Sequence, residues 1–547
     1  MKKYVMKPVQ KISSIRQMME LAAVDAGEKI AYKYKIGDEI KEVTFRSFYD
    51  QVESLGASLT SLGLGRAHFA CIGENSYKWI VTFLTCLETA GVFVPIDKEL
   101  PAADKVNLLC DSDAEVVFFS EKYEDFVKEN REKLPNVKYY IALDKAESDG
   151  DVLSFDKLCE GGEALDKSAY DALMSSPDEA KMIVYTSGTT GIAKGVMLTE
   201  HNLVSSVYYG LSCSQIYDTG LSVLPYNHVY ESVCDLLVSI HFHSTICIND
   251  TLKNVVKNMK LYKPSHIYLV PAFTDLFYAN IMANIRKQGK EKKFQTAVKI
   301  SNAALKVGID LRPKLFKEIL ETFGGRLRRI VCGGAPIRPE IGKFFGDIGI
   351  AMTGGYGITE CSPLVCVNDP DSNDYHTAGH KLACLEWRID EPNEDGIGEI
   401  CIKGDVVMKG YYKQPEKTAE AIRDGWFYTG DYGYLTDDDQ LVITGRKKNL
   451  IVLNNGKNIY PEEIEGRIST IPYVTEVIVR GLKNENGDEY SLLAEVYMAE
   501  EVHSGAEILV DVQKTLADLP AYKNVTKIVV RSDPFPKTTT NKIRRNM

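Results

Sequence analysis

The sequence predicts an α/β protein: a large N-terminal domain of doubly wound sheets with a small β-barrel subdomain, followed by a small α+β domain. Three observations carry this. Through residue 380, short apolar strands alternate with amphipathic helices, the pattern of βαβ units and parallel sheets. From about Leu382 the texture changes to short alternating strands separated by Gly and acidic turns. After Gly445 it returns to mixed α/β, in a chain of 547 residues that is too long for one core and sized for two or three domains.

Each element follows from local pattern. Phe45 to Leu62 carries apolar residues at helical spacing and is expected as a surface helix. Val116 to Phe119, His266 to Val270 and Arg329 to Val331 are short apolar runs expected as strands of the doubly wound sheets. The runs W-R-I-D, G-E-I-C-I-K-G, M-K-G-Y-Y and Q-L-V-I-T-G make the barrel, over about 382–440. Beyond it, E-V-I-V-R-G and S-L-L-A-E-V-Y-M read as strands and Ala506 to Leu516 as a helix. The domain boundary therefore falls at Arg446 to Asn449, giving a large domain of 1–445 and a small one of 450–547. No internal repeat or low-complexity tract interrupts this.

Composition excludes several classes. With 44% hydrophobic and 26% charged residues the chain is an ordinary globular protein. A net charge of -11 argues against generic nucleic-acid binding, which needs a basic face. The twelve cysteines form no C-x-x-C pair and no zinc-like spacing, and read as small buried hydrophobes in a reducing, cytoplasmic setting. No apolar h-region follows the N-terminal Met-Lys-Lys, and the most apolar stretch, Trp79 to Pro95, is interrupted by Glu88, so no transmembrane segment is expected.

Residues 186 to 195, T-S-G-T-T-G-I-A-K-G, have the composition of a phosphate-holding loop. Gly188, Gly191 and Gly195 let backbone N–H groups approach an anion, while Thr186, Ser187, Thr189, Thr190 and the Lys194 ammonium add donors and charge. The apolar run Met182 to Tyr185 should be a buried strand delivering it. A Walker A loop is excluded because Gly195, not Ser or Thr, follows Lys194.

Further motifs follow in order: G-G-A-P at 333 to 336, G-G-Y-G-I-T-E at 354 to 360, Y-T-G-D at 428 to 431, G-R-K-K-N at 445 to 449 and P-K-T-T-T-N-K at 536 to 542. With the loop, this set resembles the adenylate-forming superfamily of acyl-CoA synthetases, non-ribosomal adenylation domains and luciferases. The resemblance implies two doubly wound sheets plus a β-barrel in the large domain, a small mobile C-terminal domain, and carboxylate activation with ATP. Bringing two anions together needs positive charge and oriented dipoles rather than a nucleophile. By resemblance, the loop holds the β- and γ-phosphates, Tyr356 stacks on adenine, and the backbone of Gly334, Ala335 and Pro336 lines the base. Thr359 donates to the α-phosphate and Glu360 holds Mg²⁺. Asp431 suits the ribose hydroxyls, since one carboxylate accepts both, and Arg446 matches a second ribose contact. Lys542 matches the catalytic lysine that bridges carboxylate and α-phosphate. Lys448, two residues after Arg446, matches the pivot of the hinge at 446–449, with the Gly456 to Asn458 turn facing the thiol. Two positions depart from the family: Asn541 replaces the glycine before that lysine, a substitution Asn tolerates through αL, and Ala193 replaces a proline.

The acid is narrowed by L-P-Y-N-H-V-Y-E at 224 to 231. Amino-acid-activating domains place an aspartate here, which this chain lacks, whereas L-P-x-x-H-V-Y-E resembles the long-chain fatty acyl-CoA synthetases and implies that His228 lies beside the carboxylate pocket. Ala279 to Phe316 reads as an added helical pair like one long-chain enzymes carry, with Phe294, Ala297, Val298, Ser301, Leu305 and Gly308 on its inner face. Five basic residues in eight from Arg286 to Lys293 read as a solvated loop, with peripheral contact to anionic lipid as the alternative. The expected activity is fatty acid–CoA ligation, medium to long chain, using ATP, Mg²⁺ and coenzyme A. An acyl carrier protein is the alternative acceptor. A catalytically inactive nucleotide- or fatty-acid-binding paralogue is the alternative of a different class, disfavoured by the retention of Lys194, Glu360, Asp431 and Lys542.

Overall fold

The computed structural model describes residues 6–186, 193–368, 373–454, 456–484, 487, 489–499, 503–537 and 543–545. The chain divides into two compact units: one holds the chain up to Glu386 together with Lys403–Gly425, the other Trp387–Ile402 with Trp426 onward.

Two large sheets build the first unit. In the eight-stranded sheet, Val92–Pro95 and Val116–Phe119 flank His68–Ile72, all parallel, and Tyr139–Ala142 and Val152–Ser154 extend one side. On the other side Ala180–Thr186 runs parallel to Val92–Pro95, then Lys194–Thr199 and Gly410–Tyr411 add antiparallel. In the nine-stranded sheet, Thr219–Ser222 lies between Thr245–Ile248 and His266–Leu269, and Arg329–Cys332 and Ala351–Gly357 continue the parallel run. Both are doubly wound, because the chain adds a neighbour on one side of a strand and returns to add the next on the other. Such a reversal opens a crevice at the carboxyl ends of the strands.

The helix expected at Phe45 spans Phe45–Ser61, its first turn capped by the Thr44 side chain accepting from Ser47 N–H. It is not the surface helix the periodicity predicts, since nine of its residues are buried. The reason is a second layer: helix Phe155–Glu163 lies so close that a Cβ on Gly162 would sit 1.8 Å from the Ser54 carbonyl oxygen. The added pair is Pro271–Lys287 and Glu291–Leu305, so the first helix starts eight residues before Ala279. Phe294, Ala297 and Val298 pack on the core around Phe316, Phe344 and Phe345 as their spacing predicts, and Ser301 is buried. Gly308 ends the run instead of continuing it, turning the chain at φ +79°.

In the second unit, Gly398–Gly404, Trp426–Leu435 and Leu441–Arg446 pair antiparallel, the small β subdomain foreseen from the change of texture, but the M-K-G-Y-Y strand expected in it, Gly410–Tyr411, belongs instead to the eight-stranded sheet, where its partner is Lys194–Thr199. Its remaining core gathers strands Glu476–Lys483, Glu489–Tyr497 and Val525–Arg531 with helices Pro461–Ile468 and Gly505–Thr515. All twelve cysteines are free thiols, ten of them buried. Among the described residues no helix is long and apolar enough to cross a membrane.

Candidate functional site

Over strands His266–Leu269, Arg329–Cys332 and Ala351–Gly357 of the nine-stranded sheet lies a cavity with about 720 Å³ of empty volume, part of it open to solvent. Its walls are mostly apolar or backbone: Ser206 and Gly210 from helix Glu200–Cys213, Tyr230, Cys234 and Val238 opposite, Tyr268 and Val331 from the sheet, and Gly333, Gly334, Tyr356 and Gly357 toward the carboxyl ends. That lining, apolar with a few backbone polar groups, suits a small-molecule site. Gly334, at φ +83°, starts an exposed turn through Ala335 and Pro336 whose backbone is open to a ligand. Gly357 cannot be replaced without movement, because a Cβ there would lie 2.3 Å from the Pro363 carbonyl oxygen. Tyr356 is buried against the cavity.

His228 precedes the short helix Val229–Glu231, and its carbonyl accepts from Ser232 Oγ at 3.2 Å. Ser232–Leu237 then forms a π-helical turn, a geometry frequent at functional sites. This turn and the residue before it carry two buried carboxyls, Asp235 and Glu231. Glu231 Oε1 accepts from Ser222 Oγ at 2.6 Å and from Val223 N–H at 3.1 Å, which ties the L-P-Y-N-H loop to the strand before it. Burial, then the neighbouring Asp235, pushes the Glu231 carboxyl well above its usual range, and burial pushes Asp235 up as well. The pair therefore retains protons that exposed carboxyls would release.

Strands Ala180–Thr186 and Lys194–Thr199 form a hairpin in which Thr186 pairs with Lys194, so both ends of the phosphate-type loop are placed. Ser187, Gly188, Thr189, Thr190 and Gly191 lie outside the described residues. Lys194 Nζ sits 4.6 Å above the ring of Tyr411, and the Tyr411 hydroxyl donates to Glu360 Oε1 at 3.0 Å. Thr359 and Glu360 stand on a 3₁₀ turn after strand Ala351–Gly357, and Met408 N–H donates to the Glu360 carbonyl at 2.8 Å. Lys194 and Glu360, 166 residues apart, thus share one tyrosine that sequence reasoning missed. Its only signal was the M-K-G-Y-Y run, expected as a strand of the barrel, whereas Tyr411 pairs with Val196 at the edge of the eight-stranded sheet.

The second unit carries the other predicted residues. Asp431 and Arg446 face each other across two antiparallel strands, with Arg446 Nε 2.9 Å from Asp431 Oδ1. Asp431 is buried and its N–H donates to Thr429 Oγ1 at 3.0 Å. Glu399 accepts from Gly430 N–H at 3.1 Å and from Lys447 Nζ at 2.5 Å, fixing the turn before Asp431. Lys448 is exposed, in the single 3₁₀ turn Lys447–Asn449. Lys542 lies outside the described residues, but the chain on either side of it is anchored. Lys537 and Ile543 form an antiparallel bridge, Lys537 Nζ pairs with Glu476 Oε1 at 2.7 Å, and Arg545 pairs with Glu465. Neither glutamate was foreseen.

This chain belongs to the AMP-binding enzyme family, whose model matches residues 19–412. It is similar to the long-chain-fatty-acid–CoA ligase FadD15 of Mycobacterium bovis, 30% identical over 482 residues, covering 84% of this chain and 78% of that protein. It is also similar to long-chain-fatty-acid–CoA ligase 5 of Rattus norvegicus, 29% identical over 495 residues, covering 84% and 72%. Among solved structures, o-succinylbenzoate CoA synthetase of Bacillus subtilis, in complex with its acyl-adenylate intermediate, superposes with a TM-score of 0.74 at 22% identity over 96% of both chains, a likeness of fold.

Proposed function

We propose that this protein is an ATP-dependent ligase that activates a fatty acid as acyl-AMP, releases pyrophosphate, and passes the acyl group to coenzyme A. The observation that carries the reading is the apolar cavity running to the open backbone that begins at Gly334, a place for an alkyl chain whose carboxylate meets a nucleotide. The 30%-identical relative, a long-chain-fatty-acid–CoA ligase, supports the acid and the acceptor.

The roles follow from chemistry. A carboxylate oxygen attacks the α-phosphorus, the bond to the β-phosphate bridging oxygen breaks, and pyrophosphate leaves. Two anions approach, so cations are needed where they meet, and Lys194 with the hydroxyls of Thr186, Ser187, Thr189 and Thr190 suits the β- and γ-phosphates. The exposed backbone of Gly334 to Pro336 suits the adenine edge and Tyr356 its face. Asp431, oriented by Arg446, suits the ribose hydroxyls, and Thr359 the α-phosphate. His228 suits the carboxylate side of the cavity. Lys542 is the catalytic cation. In the second step the thiol sulfur attacks the acyl carbonyl, the proton leaves the sulfur, and AMP departs; Lys448 is the hinge between the two steps, and the domain boundary is placed at 446–449.

Among the described residues no three His, Cys, Asp or Glu side chains gather as a metal site. That fits Mg²⁺, which keeps waters and takes one or two carboxylates plus substrate phosphates. Glu360, with one oxygen held by Tyr411 and the other available, is such a carboxylate. The ion would neutralise phosphate charge.

One surface favours membrane contact as well. From Arg286 to Lys317 there are ten lysines and arginines against two acids, in a chain of net charge -11, and Ile300, Val307, Ile309 and Leu315 are exposed there. Basic residues around exposed aliphatics suit an anionic bilayer. Co-sedimentation with phosphatidylglycerol vesicles and not phosphatidylcholine vesicles tests it, and equal recovery with both overturns it.

The activity is tested by pyrophosphate release across saturated acids of about two to twenty carbons, then by thioester formation with coenzyme A against acyl carrier protein. Alkanoic acids beyond acetate should be preferred, since each buried methylene contributes roughly 0.8 kcal/mol. Best activity on acetate, an aromatic acid or an amino acid overturns the fatty-acid reading. A preference for the carrier protein replaces the acceptor, and nucleotide binding without turnover identifies an inactive paralogue.

A further inference from the structure

We infer that the cavity is closed at its deep end by a polar floor, Ser214 held by the buried Arg329, and that this floor is a chain-length stop for the acyl group. The inference rests on the fatty-acid reading above and names the size class of its substrate.

One wall is a single helix face. Ser206, Gly210 and Ser214 recur every four residues along Glu200–Cys213 and its cap, and all three line the cavity. Gly210 keeps that wall open halfway down, where a Cβ would already touch Leu364 Cδ2 at 3.4 Å. The facing wall is the sheet. Tyr268 and Val331, paired in register, line the cavity, and two residues earlier on the same strands stand His266 and Arg329, also paired in register. They form the next layer down, about 6.6 Å deeper.

That layer is polar, buried and hydrogen-bonded. Arg329 is 1% exposed, and its guanidinium donates to Ser214 Oγ, to the Gln215 carbonyl and, at 3.1 Å, to Thr353 Oγ1. One cation thus ties the lowest lining residue and its neighbour to the sheet. His266 is fully buried beside it, and burial with the Arg329 charge pushes its imidazole down to about 3, so it stays neutral. An alkyl terminus entering this layer would separate a buried guanidinium from its acceptors, the costly direction for any buried charge. The terminal methyl therefore stops at Ser214. From Ser206 to Ser214 the helix rises about 12 Å. An extended chain advances about 1.2 Å per bond, so this wall accommodates roughly ten carbons.

Ser214 is the specificity-determining contact and Arg329 the positioning residue behind it. The test is the kcat/KM profile of pyrophosphate release for saturated acids of about six to eighteen carbons, with decanedioic acid included. Wild-type enzyme should peak near ten carbons and fall beyond about twelve. Ser214→Leu, which fills the floor, should lower the decanoate-to-hexanoate ratio by about fourfold for each methylene no longer buried. Arg329→Met should raise activity on acids of fourteen to sixteen carbons relative to decanoate. Should Arg329→Met fail to fold, the Ser214→Leu ratio decides. A wild-type optimum at sixteen to eighteen carbons overturns the stop while leaving fatty-acid ligation intact, as does a Ser214→Leu defect equal for all acids. Preference for the dicarboxylic acid overturns it too, showing that the floor receives a polar terminus. Absence of adenylation with every fatty acid overturns the activity itself, and the stop with it.

Discussion

Tyr411→Phe isolates the seam between Lys194 and Glu360. The substitution removes only the hydroxyl that donates to Glu360 Oε1 at 3.0 Å, and leaves the ring under the Lys194 ammonium at 4.6 Å. A hydrogen bond to a charged group contributes about 1.5–3 kcal/mol, and losing a partner that orients a metal ligand typically costs about 10- to 100-fold, so the two scales agree. Pyrophosphate release should then need about tenfold more Mg²⁺ for half-maximal rate, with the KM for the fatty acid within about twofold of wild type. Tyr411→Leu should add a nucleotide defect, because the cation–π contact, about 0.5–2 kcal/mol, goes as well. The assay is initial rate against Mg²⁺ at saturating ATP, with melting temperature as a folding control. An unchanged Mg²⁺ dependence in well-folded Tyr411→Phe refutes the argument that this tyrosine orients the Mg²⁺ carboxylate.

Three other outcomes are expected. Lys542→Ala should lower adenylate formation by about 10²–10³ while ATP still binds, and should spare thioester formation from supplied acyl-adenylate; adenylation near the wild-type rate removes this lysine from the mechanism. Lys448→Pro, which fixes φ and restricts Lys447, should still release pyrophosphate in one turnover yet accumulate acyl-adenylate, and equal loss of both half-reactions rejects the hinge. Asp235, pushed up to about 7 by burial, binds its proton in the folded state at pH values where the unfolded chain has lost it. Its contribution to stability therefore falls as pH rises from about 4 to about 7, by up to about 1.4 kcal/mol per pH unit, and Asp235→Asn should flatten the melting temperature over that range. Equal slopes for wild type and variant would falsify this assignment.

What was legible in the sequence was what local chain chemistry dictates. Gly334 and Gly357 are demanded by a positive φ and a carbonyl contact, so their motifs survive as text. The alternation of strands and helices likewise encodes two doubly wound sheets. Tyr411 was illegible because it stands on a two-residue strand and meets Glu360 only through tertiary pairing. Glu465 and Glu476, which anchor the chain beside Lys542, are ordinary glutamates until a distant segment reaches them. The burial of Phe45–Ser61 was misjudged because periodicity reports one apolar face and is silent on whether small residues such as Gly56 and Ser58 admit a second layer.

The bonds joining residues 360–362 to 406–411 have a mechanical meaning. Glu360 follows a strand of one large sheet, whereas Tyr411 lies on the edge of the other, and Ser362 Oγ donates to the Val406 carbonyl at 2.9 Å beside them. The seam therefore sets how far one sheet can slide past the other while Lys194 and Glu360 keep their spacing. Its weakest position is Gly410, at φ +147°, where a Cβ would lie 2.7 Å from Thr418 Cγ2. A side chain introduced there meets Thr418 and none of the residues assigned to nucleotide or acid. It would nevertheless present as a phosphate-handling defect, transmitted as shear between two layers that each remain folded.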